Sequence, residues 1–86
     1  MSPELETLDQ LLGGDLTLAI VRGLFETDER FVRAVLAMLD AGEIRLYANG
    51  VEVPRWRRRD MLSAPGQSGL AEPRLTITEA GARRVG

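Results

Sequence analysis

The dipeptide Asn49-Gly50 is the feature that most restricts how this chain can fold. Both residues tolerate a positive φ angle, which the two central positions of a type I′ turn require. That turn follows the natural twist of two antiparallel strands, and apolar residues alternate with polar ones before and after it. The sequence therefore predicts a β-hairpin in which a two-residue loop sets Ala48 opposite Val51.

The strand that enters this hairpin has one apolar face and one polar face. Because side chains alternate along a strand, Ile44 and Leu46 are expected to point toward the core, while Arg45 and Tyr47 point outward. Pro54 has no backbone N–H to give to a ladder, so it ends the returning strand or keeps that strand at a sheet edge.

Three segments before the hairpin carry apolar residues at helical spacing. Ser2 is a good N-cap for the first helix, Pro3 suits its first position, and Gly13-Gly14 ends it. The apolar stripe of this helix consists of Leu5, Leu8, Leu11 and Leu12. The second helix is expected over residues 16–25 with Asp15 as its cap, and its nearly continuous apolar run predicts a central, almost surrounded helix.

The third helix is expected to begin after its N-cap, Thr27, and to extend to its C-cap, Gly42. Its predicted buried face consists of Phe31, Val32, Val35, Leu36 and Leu39. Its outer face consists of Arg30, Arg33, Ala34, Ala37 and Asp40. Acids surround the N-cap and complement the positive end of the helix dipole, which explains them better than acid–base chemistry does.

The region after the hairpin alternates between structured and loop-forming composition. Residues 55–62 fit a short helix, and residues 63–73 are rich in Gly, Pro and Ser, which predicts a mobile loop. Residues 74–78 alternate like a strand, and Thr78 is suited to cap a final helix over residues 79–85. Since 86 residues rarely divide into two domains, we expect one α+β domain spanning the chain.

Three reactive residue types are missing from the sequence: cysteine, histidine and lysine, so that all 11 basic residues are arginine. Disulfides, thiolate chemistry, the commonest metal ligand and the commonest general base are thereby excluded. The serine and threonine hydroxyls have no base to activate them, and no glycine-rich phosphate loop follows a strand. We therefore expect no enzymatic activity, no cofactor and no metal site.

Charge is distributed unevenly along the chain. Residues 1–43 hold nine acids and three arginines, whereas residues 44–86 hold eight arginines and four acids. Such asymmetry indicates either a polyanionic partner for the basic half or attraction between the two halves within one domain. No apolar run approaches the ~18 residues of a membrane helix, and the N-terminus does not resemble a signal peptide, so we expect a soluble, cytoplasmic protein without a membrane partner.

Two segments resemble winged helix-turn-helix domains. Residues 31–46, FVRAVLAMLDAGEIRL, are similar to the third helix and first wing strand of that family. Residues 74–85, RLTITEAGARRV, are similar to the ending of MarR-like and PadR-like regulators. The resemblance covers most of the chain and implies three N-terminal helices, a small antiparallel sheet with a wing, and a short C-terminal helix. Residues 50–73 lie outside it and would make the wing unusually large.

The resemblance implies binding to double-stranded DNA, because in this family the third helix enters the major groove and the wing contacts the backbone or the minor groove. Carried over to this sequence, the helix contacts are Arg30 and Arg33. The wing contacts are Arg55, Arg57, Arg58 and Arg59, which would bind phosphates. Trp56 lies among these arginines, where it is suited to stack on a base or a sugar. The implied role is that of a small transcriptional regulator or accessory factor.

Other features favour a protein partner. Acids surround the start of the third helix, the alanines on its outer face offer no hydrogen bonds to base edges, and the sequence pI is about 5.1. Tryptophan and arginine are also the usual anchors of protein interfaces. A degenerate winged helix that binds another protein is therefore the alternative, and a homodimer formed through the leucines of the first helix is its variant.

A further alternative assigns the region after the hairpin no binding role. Trp56, Met61 and Leu62 would then fold back as a small satellite core and leave the neighbouring arginines solvated, as charge runs usually are.

Overall fold

The computed structural model describes residues 2–63 and 73–85 of the chain. Within these residues the chain forms five helices and four strands. In chain order they are α1 (Pro3–Leu11), β1 (Leu16–Thr17), α2 (Leu18–Arg22), α3 (Asp28–Asp40), β2 (Ile44–Ala48), β3 (Val51–Glu52), α4 (Arg55–Ser63), β4 (Arg74–Ile77) and α5 (Glu79–Val85). The predicted α+β class is confirmed.

One antiparallel sheet contains all four strands in the order β1-β4-β2-β3. The strand β4 lies between β1 and β2, so that Leu75 pairs with Leu16 on one side and with Leu46 on the other. Ile44 pairs with Ile77 in the same ladder. Since directly opposed residues share a face, these apolar side chains form the inner surface of the sheet.

The predicted hairpin is confirmed between β2 and β3. Asn49 and Gly50 have φ angles of 54° and 77°, and Ala48 lies opposite Val51. The strand β3 is short and lies at the edge of the sheet, and Pro54 follows it, as the missing N–H of proline predicts.

The predicted second helix over residues 16–25 is wrong in extent and in burial. The strand β1 and the shorter helix α2 occupy this stretch, and Thr17 rather than Asp15 is the N-cap of α2. Ile20 is 51% exposed, so α2 is not a surrounded helix. Leu16 has its backbone partner on β4, far along the chain, and periodicity within a short apolar run does not distinguish such a strand from a helix.

The buried side chains of the helices and the sheet form a single core. The buried residues of α3 are Phe31, Val32, Val35, Met38 and Leu39. The prediction for this helix therefore missed Met38 and was wrong for Leu36, which is only partly buried beside α4. In α1, Leu8 and Leu11 are buried, but Leu12, which is the C-cap of this helix, is 50% exposed.

The predicted N-caps of α1 and α3 are confirmed. Ser2 Oγ accepts a hydrogen bond from the Leu5 N–H at 3.3 Å, and Thr27 Oγ1 accepts one from the Arg30 N–H at 3.1 Å. The helix α3 ends at Asp40, two residues before the predicted C-cap, and Gly42 has the left-handed φ of 73°. Glycine adopts this conformation without the steric cost that a Cβ atom brings.

Thr78 joins the end of the sheet to α5. Its Oγ1 accepts a hydrogen bond from the Gly81 N–H at 3.2 Å, as predicted for the N-cap, and donates one to the Gly42 carbonyl at 2.5 Å. Its own N–H donates to the Glu43 carbonyl at 3.0 Å. Arg84 also forms an ion pair of 2.7 Å with the Glu43 carboxylate. These contacts attach α5 to the connection between α3 and β2.

We expect Thr78→Ala to lower the free energy of unfolding by about 1–2 kcal/mol, because it removes an N-cap together with the bond to the Gly42 carbonyl. Thr78→Ser keeps the hydroxyl and should stay within about 0.5 kcal/mol of the wild type. Urea denaturation of the three proteins measures the difference. Equal losses in both variants would show that the hydroxyl does not stabilise this junction.

The connection from β2 to β4 contains β3 and α4 and covers the segment expected as an enlarged wing. The helix expected over residues 55–62 is confirmed as α4. Most of the loop predicted over residues 63–73 lies outside the described residues, although the Pro73 carbonyl accepts a hydrogen bond from the Leu18 N–H at 3.1 Å. Among the described helices, none has both the length and the apolar character needed to cross a membrane.

Candidate nucleic-acid interface

The helix α4 lies antiparallel beside α3. Its first residue, Arg55, is 3.7 Å from the carboxylate of Asp40 at the end of α3. Its last residue, Ser63, lines the same cleft as Asp28 at the start of α3. The α4 segment is held there by Leu62, which is fully buried in the core.

Arg22 connects α2, α3 and α4. Its Nη2 donates a hydrogen bond to the Leu62 carbonyl at 2.8 Å, and its guanidinium lies 4.9 Å from the centre of the Phe31 ring. The Nε atom is 4.0 Å from the Asp28 carboxylate. This arginine is therefore a structural residue that holds the end of α4 against the helices, rather than a free cation.

Trp56 lies on the outer side of α4. Because an α-helix turns about 100° per residue, the buried Leu62 and the largely buried Arg58 define an inner face, and Trp56 falls almost opposite to it. The indole is 78% exposed, and the Arg57 guanidinium lies 5.9 Å from its ring centre. The satellite core of Trp56, Met61 and Leu62 is thus wrong, because Leu62 joins the main core and Trp56 joins no core.

An open cleft of about 750 Å³ runs between α3 and α4. Apolar side chains line part of it, including Val32 and Leu36. Its charged lining consists of four arginines and three acids, which are Arg33, Arg55, Arg58, Arg59, Asp28, Glu29 and Asp40. The structure therefore brings one arginine of α3 together with three arginines of α4.

The arginines of α3 are already paired with acids of the same region. Arg30 is 3.2 Å from Glu26 and Arg33 is 3.0 Å from Glu29, each pair four residues apart on the chain and exposed to solvent. Such pairs stabilise a helix by only about 0.3–0.5 kcal/mol, so a stronger anion could displace the acids. In the structure, however, Glu26 and Glu29 neutralise the two arginines of α3 that were expected to contact DNA.

The arginines of α4 differ in how free they are. Arg58 is only 16% exposed and lies 3.7 Å from Asp40 and 4.0 Å from Glu52. Arg55 shares Asp40 with it, at 3.7 Å. Arg57 and Arg59 are exposed, and no carboxylate of the described residues lies within 4.0 Å of either. The least compensated positive charge of α4 thus sits on the residues to either side of Trp56.

A second open cleft, of about 660 Å³, lies on the other side of α3. Most of its exposed surface is apolar and includes Phe25, Ala34, Ala37 and Met38. Its charged lining residues are three acids and three arginines, which are Glu4, Glu26, Glu43, Arg30, Arg33 and Arg84. Arg33 and Ala37 line both clefts, so α3 lies between a cleft with four arginines and three acids on the α4 side and a more apolar cleft with three of each on the α5 side.

Sequence reasoning did not include the outer face of the sheet among the candidate sites. Arg45 and Tyr47 point to this face, as the alternation along β2 predicts, and Arg74 lies beside Tyr47 on β4. The nearby Tyr47 side chain, and to a lesser extent the Glu52 carboxylate, raise the pKa of the Arg45 guanidinium above its ordinary value. Arg45 is therefore positively charged throughout the physiological pH range.

Neither clusters of potential metal ligands nor similarity to known proteins adds a candidate site. No group of three or more potential ligands for a metal ion occurs among residues 2–63 and 73–85. The chain matches no model of a known protein family, no curated protein and no solved structure. The candidate interface therefore stands on its own geometry, which joins the α3–α4 cleft to the exposed arginines around Trp56.

Proposed function

We propose that this protein is a small DNA-binding protein of winged helix-turn-helix type that contacts phosphates mainly through α4. The observation that carries the proposal is the position of Arg57 and Arg59, which are exposed to either side of Trp56 and have no carboxylate of the described residues within 4.0 Å. Phosphate contacts of this kind supply most of the affinity of sequence-independent DNA binding. A role as a transcriptional regulator or accessory factor in the cytoplasm belongs to the same proposal.

The order of elements supports the winged helix assignment. Three helices precede β2, an excursion with β3 and α4 follows, and β4 leads directly into the short helix α5. This is the order that the resemblance implies, with β1 added and with the wing enlarged by a helix. The two segments that carry the resemblance correspond to α3 with β2, and to β4 with α5.

The position of α4 favours contact with the DNA backbone over base recognition by α3. Each helix is about 10–12 Å across, so α3 and α4 together present a surface about 20 Å wide. The major groove is about 12 Å wide and admits one helix. The outward Ala34 and Ala37 also offer no hydrogen bonds to base edges. We therefore infer that the protein binds many DNA sequences with similar affinity.

A protein partner is the second candidate function, and the second cleft favours it. Most of the surface of that cleft is apolar, its three arginines are balanced by three acids, and both arginines of α3 in its lining are paired with acids. It therefore suits an apolar side chain better than a phosphate. In this case α3, rather than α4, would carry the interface, and a second copy of the chain would be one such partner.

Binding to a fluorescent mixed-sequence DNA duplex, measured by anisotropy at about 50 mM and about 200 mM salt, tests the DNA proposal. We expect the double variant Arg57→Ala/Arg59→Ala to bind at least about tenfold more weakly at the lower salt. The slope of the logarithm of the association constant against the logarithm of the salt concentration, which is negative, should become shallower by about two. The matched control, Arg45→Ala/Arg83→Ala, removes the same charge from the sheet and from α5.

Two outcomes would contradict the proposal. Equal weakening by both double variants would mean that net charge, and not α4, determines the affinity. Absence of binding by the wild type at low salt would remove the DNA function and leave the protein-partner candidate, which size measurements of the purified chain then address.

A further inference from the structure

We propose that Trp56 is a stacking platform for an unpaired base, so that the preferred ligand is DNA containing single-stranded nucleotides. This inference rests on the proposed function and specifies its ligand. Proteins that bind single strands combine a positively charged groove, which follows the backbone, with aromatic side chains on which bases stack. The four arginines of the α3–α4 cleft, of which Arg59 has no carboxylate of the described residues within 4.0 Å, and Trp56 supply these two parts side by side.

The exposure of Trp56 is the first argument. The indole is 78% exposed although Leu62 on the same short helix is fully buried, so α4 has an inner face that this side chain does not use. The Arg57 guanidinium lies over the ring at 5.9 Å from its centre, which is a weak surface contact that a stacking base can replace or share. An aromatic ring held in water in this way is available for stacking on another flat ring.

The neighbours of Trp56 are the second argument, because they distinguish a nucleic acid from a protein. A tryptophan that anchors a protein interface is usually surrounded by residues that exclude water. On the surface of α4, Trp56 instead lies between Arg57 and Arg59, with Asp60 one turn further on. A protein that covered the indole would also have to desolvate these charges, whereas a nucleic acid offers a base to the indole and phosphates to the arginines.

The position of the α3–α4 cleft relative to Trp56 is the third argument, because it indicates the path of a bound DNA strand. Arg59 lies between Trp56 and the cleft, and Arg55 and Arg33 line the cleft itself. Asp60 lies on the opposite side of Trp56 from Arg55 around the helix, where its carboxylate repels phosphates. The backbone of a bound strand is therefore expected to follow the arginines of the cleft, with one base turned toward Trp56.

An intact duplex does not satisfy this site. Each base in a duplex is covered on both faces by its neighbours, so stacking on Trp56 would first require a base to leave the helix, which costs free energy. An unpaired base offers its face without that cost. The arginines still bind the phosphates of a duplex, and therefore only the preference for single strands depends on Trp56.

Trp56 is the only tryptophan in the sequence, so tryptophan fluorescence reports on this site alone. We expect a short oligothymidylate to quench the fluorescence of the wild-type protein in a saturable titration and to bind about tenfold more tightly than a blunt-ended DNA duplex, which has no unpaired nucleotides. Thymine is chosen because a thymidylate strand has little structure of its own. Anisotropy of labelled DNA gives the same affinities for variants without a tryptophan.

Two substitutions at Trp56 separate stacking from simple contact. Trp56→Leu should abolish the preference for the single strand, whereas Trp56→Phe should retain part of it because it keeps an aromatic ring. Both variants should leave the urea midpoint unchanged, since the exposed indole is not part of the core, and should weaken binding to the duplex much less than binding to the single strand. A preference that survives Trp56→Leu would overturn the inference.

The remaining outcomes separate the inference from the proposed function. Equal affinity for both DNA forms, with both weakened by Arg57→Ala/Arg59→Ala, would overturn the stacking role and leave the DNA function intact. No binding to either form would overturn both. A fluorescence spectrum that instead shifts to shorter wavelength as the protein concentration rises, without DNA, would assign Trp56 to an interface between copies of the chain and would also overturn the inference.

Discussion

Replacing Gly81 with alanine is expected to destabilise the protein by about 3 kcal/mol, at the upper end of the range for overpacked sites. A Cβ atom at this position would lie 2.2 Å from the Glu43 carbonyl oxygen and 2.9 Å from Cγ1 of Ile77. The carbonyl belongs to the backbone just before β2 and has no room to move without disturbing the sheet. The helix α5 would have to withdraw and would lose the bonds of Thr78 and the ion pair of Arg84 at the same junction.

The expected loss of stability in Gly81→Ala is opposite in sign to the usual effect of this substitution in a helix, so it tests the close approach of α5 to the start of β2. Inside an ordinary helix, replacing glycine by alanine stabilises by about 1 kcal/mol. Gly23 provides the matched control, because a Cβ atom there would be 3.4 Å from its nearest neighbour and the residue has a helical φ of −65°. We expect Gly23→Ala to be neutral or stabilising by up to about 1 kcal/mol.

Urea denaturation followed by circular dichroism measures both glycine variants. If Gly81→Ala raised the midpoint as Gly23→Ala does, the close approach between α5 and the start of β2 would be wrong. The arrangement of the C-terminal helix would then need another explanation.

Leu62→Ala is expected to lower the free energy of unfolding by about 2–5 kcal/mol, the range for leucine side chains deleted from a core. Leu62 is fully buried and is the side chain of α4 that enters the main core. Leu12→Ala is the matched control, because it removes the same atoms from a side chain that is 50% exposed, and it should cost less than about 1 kcal/mol.

The Leu62 variant also tests whether α4 is part of the cooperative fold. If α4 docks as described, hydrogen exchange at the backbone amides of α4 should be slow in the wild type and fast in Leu62→Ala. DNA affinity should fall with it, since Arg55 and Arg59 would no longer be held beside α3. Equal costs for Leu62→Ala and Leu12→Ala would show that α4 is not anchored by this residue.

Gly81 and Leu62 lie at the two contacts that fix α5 and α4 against the rest of the fold and thereby shape the candidate interface. Gly81 allows α5 to close against the α3–β2 connection, and Leu62 attaches the inserted helix to the core. With both in place, one side of α3 faces an arginine-rich helix and the other faces a cleft whose surface is mostly apolar and whose charges balance. The same helix is thereby placed between a surface suited to phosphates and a surface suited to protein.

Features that depend on a few neighbouring residues could be predicted from the sequence. Ser2, Thr27 and Thr78 cap their helices because a hydroxyl needs only the backbone N–H three residues later. Asn49 and Gly50 form the hairpin turn because their own φ angles decide it. The α+β class followed from these local signals, and so did the inward direction of Ile44 and Leu46.

Features that depend on distant partners could not be predicted in this way. Leu16 belongs to a strand only because β4 returns to pair with it, and the same apolar run would otherwise continue as a helix. The candidate site has the same origin. The sequence contains a run of arginines with a tryptophan inside it, which does not tell which of these side chains are exposed. The burial of Leu62 turns Arg58 inward toward Asp40. As a result, Trp56, Arg57 and Arg59 face solvent. Local geometry thus determined the elements, whereas the packing of α4 against α3 decided which charges remain free to bind.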